Sequence, residues 1–259
     1  MAYKLFSRAS KALDCSFHQE ILARTGRSTR CLRGRGITAV MKEKYYKDYV
    51  YRGGALCEQR AAVGGTKKPG RGGGMARGRQ VDNEIQRWVQ EGAAQGATPL
   101  KPPRGLERSK DPKGKEGTQA LHPFSRAFIA LTQRLHLTPV ATQVVVRNEQ
   151  CNIATLVDAV FLNAKGRIVV VELKTGFEGY NDVSTGRMLA EFAYLTNAPA
   201  SQHRVQLAFT KEMFEMTFPE FGDVDGLLIR MTSTGAHVRS LDQRDSAAAR
   251  AAMRKGSKF

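Results

Sequence analysis

The most regular pattern along the chain lies between residues 139 and 176. Three runs, "PVATQVVVRN" (139–148), "IATLVDAVFLN" (153–163) and "RIVVVELKTG" (167–176), are rich in β-branched residues and broken by turn formers, which predicts a three-stranded meander. Helical spacing governs the flanking segments. Val81, Ile85, Trp88 and Val89 recur on one helical face with Gly92 as a stop, and Phe124, Phe128, Ile129, Leu131 and Leu135 make a second stripe. "QHRVQLAFTKEMFEMTF" (202–218) predicts another amphipathic helix, and "DGLLIRMTS" (225–233) followed by "AHVRSL" (236–241) predicts a closing hairpin. The expected fold is α/β in the α+β sense, a mixed sheet flanked by helices with a basic, irregular N-terminal extension.

Other segments are weakly patterned. Residues 1–40 are basic, and "KEKYYKDYVY" (42–51) is compatible with a short helix or a strand. "GGTKKPGRGGGMARGR" (64–79) holds too many glycines for regular structure and reads as a cationic loop. Residues 92–118, rich in Gly, Pro and Lys, read as an exposed insertion, and "DSAAARAAMRKGSKF" as a frayed tail. The expected organisation is an extension at 1–63, a domain at 64–245 and a flexible basic tail at 246–259.

Composition adds a partner class. Against 24 Asp and Glu stand 41 Lys and Arg, a net charge of +17, which suits a polyanion such as nucleic acid. Residues 1–118 carry 25 basic and 11 acidic residues, and the remainder 16 and 13, so most of the positive charge precedes the best-patterned region. The four cysteines show neither CxxC spacing nor a His partner at zinc-finger distance, which argues against structural zinc and a disulfide framework and for a reducing compartment. No apolar run approaches the ~18 residues that span a bilayer, so no membrane partner is expected. An intracellular location follows, with nucleus, mitochondrion and a virus-encoded origin all open. The N-terminus is faintly like a transit peptide, but the same composition runs past any cleavage point.

Charge inside the strand runs points to chemistry. Alternation puts Glu172 and Lys174 on one face with Val170, and Val171 and Leu173 on the other. Asp158 interrupts the preceding apolar run, where an acid is costly without a partner. The loop "NAKGR" places Gly166 at the left-handed position of a three-residue hairpin, with Asn163 paired to Arg167. In that register Asp158 lies opposite Glu172. Two facing carboxylates require a cation, and oxygen ligands suit Mg²⁺ or Mn²⁺. Lys174 is placed to hold an attacking water or to offset charge on a phosphate. A plain ion pair at a strand end is the alternative.

An acid followed by "ELK" on the next strand resembles the PD-(D/E)XK nuclease superfamily, in the branch of RecB and lambda exonuclease. "GRQVDNEIQRW" is similar to that branch's helical motif and supplies Glu84. "HRVQLAFT" is similar to its H-x-x-Q-L-x-x-x-Y motif, giving His203 and Gln206, although Thr210 stands where the family often has Tyr. The resemblance covers residues 78–241 apart from 92–118. It implies a restriction-endonuclease-like core and phosphodiester hydrolysis. Glu84, Asp158, Glu172 and the Leu173 carbonyl would hold the metal, Lys174 would assist the water, and Arg79, His203, Arg204 and Gln206 would contact nucleic acid. The function expected is a metal-dependent deoxyribonuclease of DNA repair, recombination or replication, exonuclease and endonuclease both open. The alternatives are a catalytically inactive nucleic-acid-binding protein with the same fold, or an RNA-binding protein using the Gly/Arg segment. No feature signals an oligomeric interface.

Overall fold

The computed structural model describes residues 35–45, 73–95, 109–110, 116–117, 121–175, 186–232 and 234–255. The predicted meander is present as β4 (Thr138–Asn148), β5 (Ile153–Leu162) and β6 (Ile168–Thr175). The turn between β5 and β6 is the three-residue loop expected from "NAKGR". Gly166 has φ 71°, the Asn163 N–H donates to the Arg167 carbonyl at 2.9 Å, and the Asn163 carboxamide oxygen accepts from the Lys165 and Arg167 N–H groups. The register follows, with Ala159 opposite Val171 and Leu162 opposite Ile168.

From β6 the chain crosses through α4 (Pro199–Thr217) to β7 (Asp225–Thr232), which lies parallel to β6, and β8 (Gly235–Ser240) closes the sheet as the expected antiparallel hairpin. The long strands lie in the order β4–β5–β6–β7–β8. A short strand β1 (Arg35–Gly36) adds to the start of β5 in parallel, at Ile153 and Ala154. β4 already occupies the other side of those residues, so β1 and β6 lie on the same side of β5. A separate two-stranded pair joins β2 (Ser109–Lys110) to β3 (Glu116–Gly117). The fold is α+β, a mixed sheet flanked by helices.

Two apolar cores sandwich the sheet. On one side α2 (Gly73–Gln95) and α3 (Pro123–Arg134) bury Val81, Ile85, Trp88, Phe124 and Phe128 against Phe161, Val169 and Val171. Trp88 meets Phe128 edge-on at 6.0 Å between ring centroids, a favoured aromatic geometry. α3 begins with Pro123 in its first turn and the His122 ring nitrogen accepting the Phe124 N–H at 3.1 Å. On the other side α4 packs with α1 (Ile37–Lys44) and α5 (Gln243–Lys255) over Val144, Val157, Val160 and Val170.

The structure corrects three boundaries. The first 63 residues are not all extension, because Ile37, Val40, Met41 and Tyr45 are core residues, with Tyr45 edge-on to Phe192 at 5.2 Å. Helix α2 starts at Gly73 rather than after Arg79 and runs to Gln95, three residues past Gly92. The chain from 246 to 255 is no tail. α5 opens with a reciprocal cap in which the Asp242 carboxylate accepts the Asp245 N–H at 2.9 Å and the Asp245 carboxylate accepts the Asp242 N–H at 3.3 Å. It then buries Ala248, Ala249, Ala252 and Met253. Most of the predicted insertion at 92–118 and residues 256–259 lie outside the described residues.

α5 is locked to α4 by a buried ionic cluster. Arg204 pairs with Asp245 and Asp242, and the Tyr194 hydroxyl donates to Asp245 at 2.6 Å. Asp245 is fully buried. Asp245→Ala should therefore cost about 3–5 kcal/mol in urea denaturation, since it strips the Arg204 guanidinium of its buried partner. A loss under about 1 kcal/mol would return this helix to the status of an appendage.

Candidate active-site cleft

The cleft arises where the sheet loses pairing. β5 and β6 are joined only from Ala159–Val171 to Leu162–Ile168, and β1 holds β5 only at Ile153 and Ala154. Residues 155–158 of β5 therefore face a gap on that side. The first residue beyond the last pair is Asp158, and across the gap the Leu173 N–H donates to its carboxylate at 2.8 Å. A side chain thus takes the place of a strand carbonyl, which satisfies the amide.

Glu172 and Lys174, on one face of β6 as alternation requires, meet directly: the Lys174 ammonium contacts one oxygen of Glu172. This is not the surface pair that a strand end would make. Glu172 is 1% exposed, and among the described residues its second oxygen, Oε2, has no hydrogen-bond partner. Burial raises the Glu172 carboxyl above its ordinary value, against the pull of Lys174. Burial pushes Asp158 up to about 8 and Glu172 beside it adds to the rise, while Lys174 and the Leu173 N–H work against it. Burial, then the Lys174 charge, depresses His203 to about 3, so its imidazole is neutral at pH 7.

Asp158, Lys174 and His203, but not Glu172 itself, line a cavity of about 510 Å³ between α2, α4 and the splayed strands. Asp158, Lys174 and His203 contribute polar groups, Val81, Ile85, Leu156 and Met231 the apolar wall, and Arg79 stands exposed at the rim. α2 meets the end of β6 at Gly78, where a Cβ would sit in ordinary contact with the Thr175 hydroxyl at 3.7 Å.

Glu84 does not join the others. Its two oxygens accept from Gln80 Nε2 at 3.0 Å and from the His122 N–H at 2.9 Å, so it braces the entry to α3. The acid that α2 presents to the cavity is Asp82, held by Gln86 at 2.8 Å and raised by burial against the pull of Gln86 and Lys174. At 100° per residue, positions 82 and 84 flank the Val81/Ile85 stripe on opposite sides. Which flank meets the gap is set by tertiary packing. Arg204 is 8% exposed and committed to the α5 cluster, so it is no nucleic-acid contact. Gln206 is half-buried one turn beyond His203 and is not part of the cavity lining. Sequence reasoning also missed Gln143 of β4, which lines the cavity.

Among the described residues no three His, Cys, Asp or Glu side chains converge into a ready metal cage. No helix among them is long and apolar enough to cross a membrane. The fold and cleft define an α+β protein with a carboxylate-lined cavity at a break in its sheet. No family model and no curated protein matches the chain. Among solved structures it is similar to SSO0001, with 14% identity and a TM-score of 0.29. That match spans 52% of this chain and 55% of the other, and at such a score it carries no argument.

The raised Asp158 carboxyl has a consequence for stability. Folded Asp158 keeps its proton to about pH 8, whereas the unfolded chain releases it near 3.8. The native state thus binds more protons over that window, and stability falls as pH rises through it. Asp158→Asn keeps an oxygen for the Leu173 N–H and removes the titration. In chelator-containing buffer the variant's melting temperature should gain on that of the wild type between pH 5 and pH 8. A constant difference would show that Asp158 ionises normally.

Proposed function

We propose that this chain is a metal-dependent nuclease that hydrolyses DNA phosphodiester bonds on a restriction-endonuclease-like core. The observation that carries the reading is the buried, partnerless Oε2 of Glu172 beside the Asp158 carboxyl. Such an oxygen is costly unless a ligand uses it, and a second acid next to it specifies a cation. Mg²⁺ or Mn²⁺ suits these hard oxygen donors. Asp158, Glu172 and the Leu173 carbonyl would hold it, with Asp82 as the α2 acid in place of Glu84. When bound, such an ion supplies Lewis acidity and offsets charge on the phosphate.

The chain's own groups supply the remainder. Lys174 is the central cation of the cleft, its charge felt by Glu172, Asp158, Asp82 and His203. An ammonium there orients a water and stabilises negative charge developing on the phosphate oxygens. Neutral His203 offers a hydrogen bond without repelling a cation. Arg79 at the rim meets the phosphate backbone, and the basic excess of residues 1–118 adds sequence-independent attraction. The tight Lys174–Glu172 contact and the diversion of Glu84 favour a second reading, a protein that binds nucleic acid in this cleft without cutting it.

A cleavage assay separates the two. Purified protein with end-labelled linear and circular DNA should cut in Mg²⁺ or Mn²⁺ and fail in EDTA. Glu172→Gln should lower the rate at least about a hundredfold and abolish the heat of Mg²⁺ binding in calorimetry, while the amide oxygen it keeps can still accept from the Lys174 ammonium. Lys174→Ala should lose turnover by a similar factor with little loss of DNA affinity, since it is one cation among 41 basic residues. Wild-type binding without cleavage in either metal would establish the second reading.

A further inference from the structure

Gln143 sits in the middle of β4 with φ 52°, a left-handed conformation that a non-glycine residue adopts at a cost. Its neighbours pair regularly with β5, Thr142 with Ala159 and Val144 with Val157, and the position between them lies across from Asp158. The alternation of both strands slips at that step. Val144 and Val157 face the α4 layer, whereas Ala159, one pair further, faces the α2 layer. The slip delivers the Gln143 side chain to the cavity that Asp158, Lys174 and His203 line. Among the described residues nothing hydrogen-bonds its carboxamide. The local distortion is therefore not compensated by an internal bond, the pattern of a backbone shaped to present a side chain to a ligand.

We propose that Gln143 is a substrate-binding residue, its amide N–H donating to a non-bridging phosphate oxygen of the strand held against Asp158 and Lys174; this rests on the nuclease reading. The chemistry suits the place. A carboxamide donates without charge, so it neither neutralises the neighbouring carboxylates nor competes for a cation. Its partner is the backbone rather than a base, so the contact is blind to sequence.

Two variants test it. Gln143→Gly adopts φ 52° freely and removes the amide; Gln143→Glu keeps size and backbone but replaces the donor by an anion. Fluorescence anisotropy with a labelled oligonucleotide in EDTA reads binding apart from cleavage, and thermal melting reads the fold. Gln143→Gly should melt at or above the wild-type temperature yet bind about tenfold more weakly, by the same factor for different base sequences. Gln143→Glu should bind more weakly still. If either variant melts like the wild type and binds with wild-type affinity, Gln143 is no substrate contact. A wild type that neither binds nor cleaves nucleic acid would remove the nuclease reading and this contact with it, whereas a binding and cleaving wild type beside unaffected variants would remove this contact alone.

Discussion

The break in pairing between β5 and β6 is the constraint from which the cleft follows. After Ala159–Val171 the two strands separate, and the Leu173 N–H must find an acceptor other than a strand carbonyl. Asp158 supplies it, so one carboxylate both terminates the ladder and stands at the mouth of the gap. β1 closes the far end of the same side of β5 at Ile153 and Ala154, which gives the gap a floor. Meanwhile β6 continues beside β7 to Thr175, so Glu172 and Lys174 stay on a rigid strand while their former neighbour turns away. Rigid placement of this kind is what a reacting group requires.

Electrostatics then follow from geometry. Three acids, Asp82, Asp158 and Glu172, surround one ammonium, and burial makes each of them reluctant to ionise. Lys174 pairs with one oxygen of Glu172, and among the described residues the other, Oε2, has no hydrogen-bond partner. A hard cation bound among these carboxylates would stabilise the fold by linkage. Burial, with the Lys174 charge adding to it, keeps His203 neutral, which makes the imidazole a hydrogen-bonding group and not a competing charge.

Local rules made much of this legible in the sequence. The β5–β6 register was readable because a three-residue turn with Gly at the left-handed position admits one pairing, but the ladder stops at Ala159–Val171, so the expected Asp158–Glu172 pair does not form and the Asp158 carboxylate accepts the Leu173 N–H instead. The meander, the Val81–Val89 and Phe124–Leu131 stripes and the closing hairpin rest on strong periodicity. Glu84 and Asp82 could not be separated this way, because each flanks the same stripe and the choice belongs to packing. Helix α5 was missed for another reason. Its buried face is made of Ala248, Ala249, Ala252 and Met253 rather than large apolar side chains, and a further signal was the pair Asp242 and Asp245 three residues apart at its start, a cap made with two acids instead of the commoner Ser/Thr and Glu. The segment at 37–45 was hidden by its basic neighbours, although Ile37, Val40 and Met41 already follow helical spacing.

Arg204 and His203 show how a structural interaction far from the cleft reaches it. The two are adjacent on α4, roughly 100° apart around its axis. Arg204 is anchored by Asp245 and Asp242 to α5, and Tyr194 completes that anchor through its hydroxyl. Buried ion pairs contribute little net stability compared with apolar packing, but they tolerate few geometries. This one acts together with the buried Val205, Leu207, Ala208 and Phe209 to fix the rotation of α4 about its own axis. With the guanidinium held on the α5 side, the preceding residue must project toward the sheet gap, where His203 lines the cavity beside Lys174. The basic residue that seemed suited to nucleic acid instead helps hold the helix phase, and that phase leaves neutral His203 in the cavity lining.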